Sequence, residues 1–495
     1  MKRWLSPWLL LAPLLLVAGH SGFGGSLGPV GPVTPSSPAW RYTLLNGSYL
    51  LDDCLICGRP AVQEPMRGTF DLRVLETTPL YVRYSVENLR FTAGTTRTYT
   101  VTGSGEFKIG GEVASVQEMS LEAEIDDGTT KIPAELKSEA EPPVRAFPMM
   151  DITVKQTNGT LTQTYSLRLA AAPVRDLWFS TKTFFTAGTG IEAGKILIGG
   201  DLLSLSGHRV KTNADFYGSV GATPPGPDLG LDAVDILPGG EIAFSLDTGF
   251  PTSDVGPIYP GDLLSTKGRV IRRNQELLAP FGLMPVAPDT GLDAVHILDS
   301  GEILFSIESD IFSEKLGTML RRGDLLSSEG KIVRTYEKLY ENFHFLTPPT
   351  DNGLDVLYQW PGGEIWFSPE FGFTDDRLGP IGAGDLLSDQ GYIVFRNAEL
   401  TAAFAPVQAT PDFGLDALFV ITDITPPPPL PQLSLTKKSG ASGVTLNWQG
   451  GGRVFQVERS TDLAEPFQPL SPVIPDSSWN DPADLARAFY RLRQW

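Results

Sequence analysis

The chain has 495 residues, 39 of them basic and 58 acidic, for a formal net charge of −19. Such an acid excess argues against nucleic acid and anionic membrane surfaces as partners, because both are bound through basic footprints. Glycine (52) and proline (41) are abundant, which favours short strands and turns over long helices, and two cysteines are too few to staple the fold.

Met1, Lys2 and Arg3 form a short basic start, residues 8–17 are apolar, and Ala18, Gly19 and Ser21 offer a place for cleavage. This pattern predicts a signal peptide at 1–21 and a secreted or cell-surface product. No later stretch is long and apolar enough to span a bilayer, so no transmembrane segment is expected once the leader is removed. Residues 22–39, rich in Gly, Pro and Ser, read as a flexible lead-in.

Residues 40–173 alternate apolar and polar side chains, as in 68–74 and 119–125, which predicts an antiparallel β domain, a β-sandwich or open barrel. Asn158-Gly159, between alternating segments at 151–155 and 164–169, predicts a two-residue hairpin turn. Cys54 and Cys57 have the spacing of a metal knuckle, yet a closed zinc site needs four ligands. His208, His296 and His344 lie in another region. A disulfide is the favoured reading, with a redox-active pair or a half-site completed by another subunit as alternatives.

Residues 174–423 are an internal repeat of about 61 residues per unit. Gly-Asp-Leu-Leu-Ser recurs at 200–204, 261–265, 323–327 and 384–388, and Gly-Leu-Asp-Ala/Val at 230–233, 291–294, 353–356 and 414–417. Gly-Glu-Ile-x-Phe-Ser recurs at 240–245, 301–306 and 363–368, and 177–180 supply an upstream copy without its Gly-Glu. Each unit reads as four short strands and one helix. In the second unit, Asn274 is expected to cap a helix over 275–281; Asn213 and Asn397 hold the same place, and Thr335 takes it in the third unit. A four-bladed β-propeller is favoured and a solenoid is the alternative, because the array's first and last strands can pair within one sheet and leave no open edge.

The repeats supply the candidate site residues. Asp232, Asp293, Asp355 and Asp416, gathered on one axis, would repel unless a hard cation such as calcium neutralised them; the alternative is that each accepts backbone N–H bonds in a turn. Asp201, Asp262, Asp324 and Asp385, with Glu241, Glu302 and Glu364, read as repeat-structural acids. No catalytic residue is assigned. Residues 424–432, with four consecutive prolines, read as a stiff linker, and 433–495 as a small β-sandwich in which Trp448 anchors the core.

The order Asp-Ala, apolar strand, Gly and aromatic strand, four times over, resembles the hemopexin-type four-bladed propeller. That likeness implies that Asp232-Ala233, Asp293-Ala294 and Asp416-Ala417 line a central channel able to hold ions, with Asp355-Val356 departing at its second residue. The expected Tyr-Trp pair is missing and no disulfide joins the first and last units. The C-terminal module resembles a fibronectin-type-III-like sandwich, and its ending at 489–494 resembles modules attached to large exported bacterial proteins. The expected function is non-enzymatic: binding or structural display of the repeat scaffold to a protein or glycan ligand outside the cytoplasm. The alternative is a secreted, carboxylate-dependent glycoside hydrolase.

Overall fold

The computed structural model describes residues 39–495 apart from 55, 95–97, 113, 222–227, 254, 284–287, 348–350, 411, 425–430, 437–442, 484 and 486, together with the backbone of Leu16–Val17. Most of the expected leader and lead-in, and of the proline-rich linker, lies outside the described residues. The chain is mainly β, as its alternation and turn content predict. Contacts divide it into one compact unit of Trp40–Leu237 and Glu241–Thr425, and another built on Pro426–Trp495.

The first unit begins with an antiparallel sheet that returns on itself. Its strands run in order from Tyr49–Asp53 through Val62–Thr77, Tyr81–Ala93, Tyr99–Gly110, Val116–Asp126, Lys131–Lys137 and Met150–Gln156 to Thr164–Ala172. The last strand pairs with both Met150–Gln156 and Tyr49–Asp53, so the barrel is closed. Alternation explains its packing: every second residue of Val116–Asp126 is buried, placing Met119, Leu121 and Ile125 inside. Aromatic rings fill the middle, Tyr42 stacked on Phe70 and Phe70 edge-on to Phe91. Gly105 lets two strands approach closely, since a Cβ there would lie 2.0 Å from the Ser120 carbonyl.

Met150–Gln156 and Thr164–Ala172 do pair across Asn158-Gly159, with Ser166 opposite Lys155. The connection is longer than two residues, however. Asn158 Oδ1 accepts the Glu135 N–H at 3.0 Å, and a separate turn pairs Thr160 with Gln163. A side chain captured by the neighbouring strand replaces the tight turn its type favours.

The repeat region forms four four-stranded antiparallel sheets. Three are meanders: Val234–Leu237, Glu241–Phe244, Leu263–Ser265 and Arg269–Arg272 make one, and the next two units repeat it. The remaining sheet combines both ends of the array, because Leu418–Thr422 pairs with Val174–Phe179, followed by Leu202–Ser204 and His208–Lys211. The leading strands of the four sheets neighbour one another in a cycle, from Val234–Leu237 to Val295–Ile297, Val356–Gln359, Leu418–Thr422 and back.

Three units also carry a short hairpin that the sequence reading missed, such as Ile311–Ser313 with Thr318–Leu320, and the second has a single bridge, Phe250 to Ile258, in its place among the described residues. In three units the helix starts one residue earlier than expected: Asn213, Asn274 and Asn397 are first helical residues, with Thr212, Arg273 and Arg396 at the cap position, whereas Thr335 holds the cap position of the third unit's helix as expected. The Asn274 side chain instead bonds Thr290 Oγ1 at 3.2 Å and the Gly291 carbonyl at 3.3 Å.

The second unit folds as two small sheets, Gln432–Thr436, Val444–Gln449 and Ser478–Asp481 in one, and Phe455–Ser460, Gln468–Pro469 and Phe489–Gln494 in the other. Leu16–Val17 pair with Phe489 and Tyr490 at the edge of the latter. Trp448 is buried and packs 5.6 Å from Phe455.

Candidate functional site

The repeated acids divide into two populations. Asp201, Asp262, Asp324 and Asp385 are engaged by their own turns. Asp262 accepts the Asn274 N–H at 3.2 Å, the Tyr259 N–H at 3.1 Å and Arg273 Nη1 at 2.6 Å. Asp201, Asp324 and Asp385 make the equivalent backbone bonds to Asn213, Tyr336 and Asn397. Glu302 and Glu364 accept the hydroxyl of the Ser that ends Gly-Asp-Leu-Leu-Ser, at 2.5 and 2.7 Å, and Glu241 does the same with Ser265. In the first unit Asp176 plays this part, bonding Ser204 at 2.7 Å, so the upstream copy lacks the glutamate but keeps a carboxylate.

A second set of turn acids was not singled out in the sequence: Asp228, Asp289, Asp351 and Asp412, each four residues before the Asp of Gly-Leu-Asp. Asp412 Oδ1 accepts both the Gly384 and Gly414 N–H groups at 2.9 Å, latching the two repeated turns together. Their shared spacing was the available signal.

Asp232, Asp293, Asp355 and Asp416 belong to the other population. Each lies two residues or fewer before the leading strand of its sheet, and those strands form the cycle, so the four carboxylates gather at one end of it. All four are at least nine-tenths buried. A second tier meets them there: Lys182, Asp247, Glu308 and Glu370, each two residues after the Ser that closes the aromatic strand. The glycine of Gly-Leu-Asp makes room for this tier. Gly230 has φ +70°, and a Cβ there would meet the Asp247 carboxylate at 2.1 Å; at Gly291 the same atom would meet Glu308 at 2.3 Å.

One lysine thus stands where three units place an acid. Lys182 Nζ lies 2.9 Å from Asp355 Oδ2 and 3.7 Å from Asp416 Oδ1, and Arg322 pairs with Glu370 at 2.9 Å. Asp416 also belongs to a trio with Asp232 and Asp247, each offering an oxygen, all within 4.8 Å of one another. Asp232 Oδ2 and Asp355 Oδ1 are buried without a hydrogen-bond partner among the described residues. Burial, then the neighbouring Asp247 and Asp293 carboxylates, hold Asp232 well above the usual carboxylate range. Burial pushes Asp355 up to about 7 against the pull of Lys182. Asp293 and Asp416 are raised chiefly by burial as well.

Cys54 and Cys57 are joined in a disulfide with Cα atoms 5.5 Å apart. His208 and His296 lie in separate sheets, His296 against Tyr358.

No family model matches the chain, and no curated protein matches it. Among solved structures it is similar to the extracellular domain of a putative one-component system from B. thetaiotaomicron, at 8% identity and a TM-score of 0.19, covering 90% of this chain and 94% of that one. At that TM-score the likeness carries neither fold nor function across.

Proposed function

We propose that the chain is an extracytoplasmic, non-enzymatic binding protein, a four-bladed propeller joined to a closed barrel and followed by a fibronectin-type-III-like module. Its binding centre is the acid-lined end of the ring, and its partner is a protein or glycan that presents positive charge there. The observation that supports this most directly is the two-tier gathering of seven carboxylates around Lys182, with Asp247 and Glu308 exposed. An exposed acidic rim over buried carboxylates that Lys182 only partly offsets attracts cations and repels anions. The leader pattern and the disulfide suit an oxidising compartment.

The hydrolase alternative receives less support. A paired-carboxylate glycosidase places its acids about 5–10 Å apart across a sugar bond. The turn acids are engaged by backbone amides, and the ring acids approach within 4.8 Å at Asp232, Asp247 and Asp416.

The test is a binding comparison on the full chain, using an amine-bearing glucosamine oligomer against its N-acetylated form. Preferential binding of the amine form, lost in the Glu308→Gln/Glu370→Gln double variant, is expected. Equal binding of both forms, or their hydrolysis, would contradict the proposal.

A further inference from the structure

The fourfold repeat invites a fourfold ion site, one cation on the axis among Asp232, Asp293, Asp355 and Asp416. The side chains are arranged otherwise. Lys182 enters from the first sheet and takes Asp355 of the fourth and Asp416 of the first, so a positive charge already stands on that side. Three carboxylates come together beside it, Asp416 shared with Lys182: Asp416 from the strand that completes the first sheet, and Asp232 and Asp247 from the two sides of the first hairpin of the second.

We propose that a calcium ion binds off the axis, between Asp232, Asp247 and Asp416, with Lys182 serving as the built-in counter-cation for Asp355 and, in part, for Asp416. The proposal rests on the reading that this end of the ring seeks cations, and it assigns the first ligand there. An independent observation points to an occupant: Asp232 Oδ2 is sealed from solvent in a residue only 7% exposed, yet it receives no hydrogen bond. A buried carboxylate oxygen without a donor is costly, whereas one directed at a metal is satisfied.

Size and ligand type point to the ion. Calcium takes oxygen ligands at about 2.3–2.6 Å, so oxygens on opposite sides of it stand up to roughly 5 Å apart, whereas magnesium at about 2.1 Å would require about 4 Å. The three oxygens lie within 4.8 Å of one another, inside the span that calcium bridges. The ligand set is all oxygen, which disfavours zinc and copper. The exposed Asp247 leaves a side for the water molecules that complete the six to eight ligands calcium prefers.

Lys182 has a definite role in this arrangement. It positions Asp416 and lowers the negative charge of the site without touching the ion. The repeat shows why it is needed: an acid at that position, as in the other three units, would put an eighth carboxylate around the ring.

The full chain, stripped with chelator, is titrated with calcium and with magnesium by calorimetry, and its melting is followed in parallel. One calcium per chain and a higher melting temperature are expected. Asp247→Asn should weaken calcium by about tenfold or more, by loss of a charged ligand, while keeping the metal-free melting curve. Lys182→Met should bind calcium more tightly, because a repelling charge is gone. Absence of calcium uptake, preference for magnesium, or an Asp247→Asn variant that binds as the parent does would each overturn the inference. The amine-ligand comparison repeated in chelator separates the two readings: if selectivity persists without calcium uptake, only the ion site falls, and if both are lost, both fall.

Discussion

Four serines occupy one repeated position, and three of them stitch neighbouring sheets together. The hydroxyls of Ser180, Ser245 and Ser306 donate to the carbonyls of Leu231, Leu292 and Leu354, each in the next unit, at 2.8, 2.9 and 2.8 Å. Ser368 is equally buried, but its hydroxyl has no partner among the described residues. Identical sequence therefore gives different energetics. Ser→Ala at 180, 245 or 306 removes a bond and strands a buried carbonyl, at a cost of about 1–2 kcal/mol. Ser368→Ala removes a hydroxyl that gains nothing, so its effect is expected at or below zero. Urea denaturation of the four variants checks this, and equal losses at all four would show that the seams do not rest on these bonds. Asp262→Ala is a harsher change, because two backbone N–H groups and Arg273 lose their acceptor; about 2–4 kcal/mol is expected. The sequence marked Asp262 as recurrent, and recurrence fits a turn acid and an axial acid equally well. Only the neighbours separate them: Asp262 faces amides and Asp232 faces other carboxylates.

Short elements depend on side chains more than long ones do, because a three-residue strand makes few ladder bonds. That is why the alternating barrel strands were legible while the hairpin strands of the repeat, two or three residues each, were not: so few residues hold no measurable period. The strand Ser478–Asp481 shows what fixes such an element. Asp481 accepts Arg459 Nη1 at 2.7 Å, the Tyr490 hydroxyl at 2.9 Å and the Ala483 N–H at 3.0 Å, tying its sheet to two strands of the other. Burial alone would raise this carboxyl, but the Ala483, Arg459 and Tyr490 bonds outweigh it and hold it below the usual range. A depressed folded-state value means that the unfolded chain binds the proton more readily. The stabilisation is therefore complete above the unfolded value, about 4, and is lost as pH falls through the folded one. Hydrogen exchange of Phe489–Gln494 should show protection that declines on acidification in that window. Asp481→Asn should start from lower protection and show a flatter profile; an unchanged acid profile would mean that Asp481 does not carry the coupling.

For the molecule as a whole, the most legible feature was the phase of the repeat, which begins with an aromatic strand and ends with an apolar one. The pairing of Leu418–Thr422 with Val174–Phe179 realises that phase as a sheet made from both ends of the array. Less legible was the break in symmetry. Lys182 occupies the repeat position of three acids, so it stands where the copies differ rather than where they agree, and charge balance around a common axis appears only when four units meet. Closure by the last strand has a thermodynamic consequence that can be read directly. Phe413, Leu415, Leu418 and Val420 are buried in one cluster with Leu177, Phe179, Phe185 and Leu203 of the first unit. Four such side chains at about 2 kcal/mol each come to roughly 8 kcal/mol, on the scale of a whole domain's stability, about 5–15 kcal/mol. A chain ending at Thr410 also leaves Val174–Phe179 as an open edge. It is expected to lack a cooperative melting transition and to aggregate. A chain ending at Thr425 retains the closing strand and is expected to melt cooperatively. Calorimetry on the two truncations decides the matter: comparable transitions in both would mean that the ring does not depend on its final strand, and that the four sheets hold together as a stack without closure.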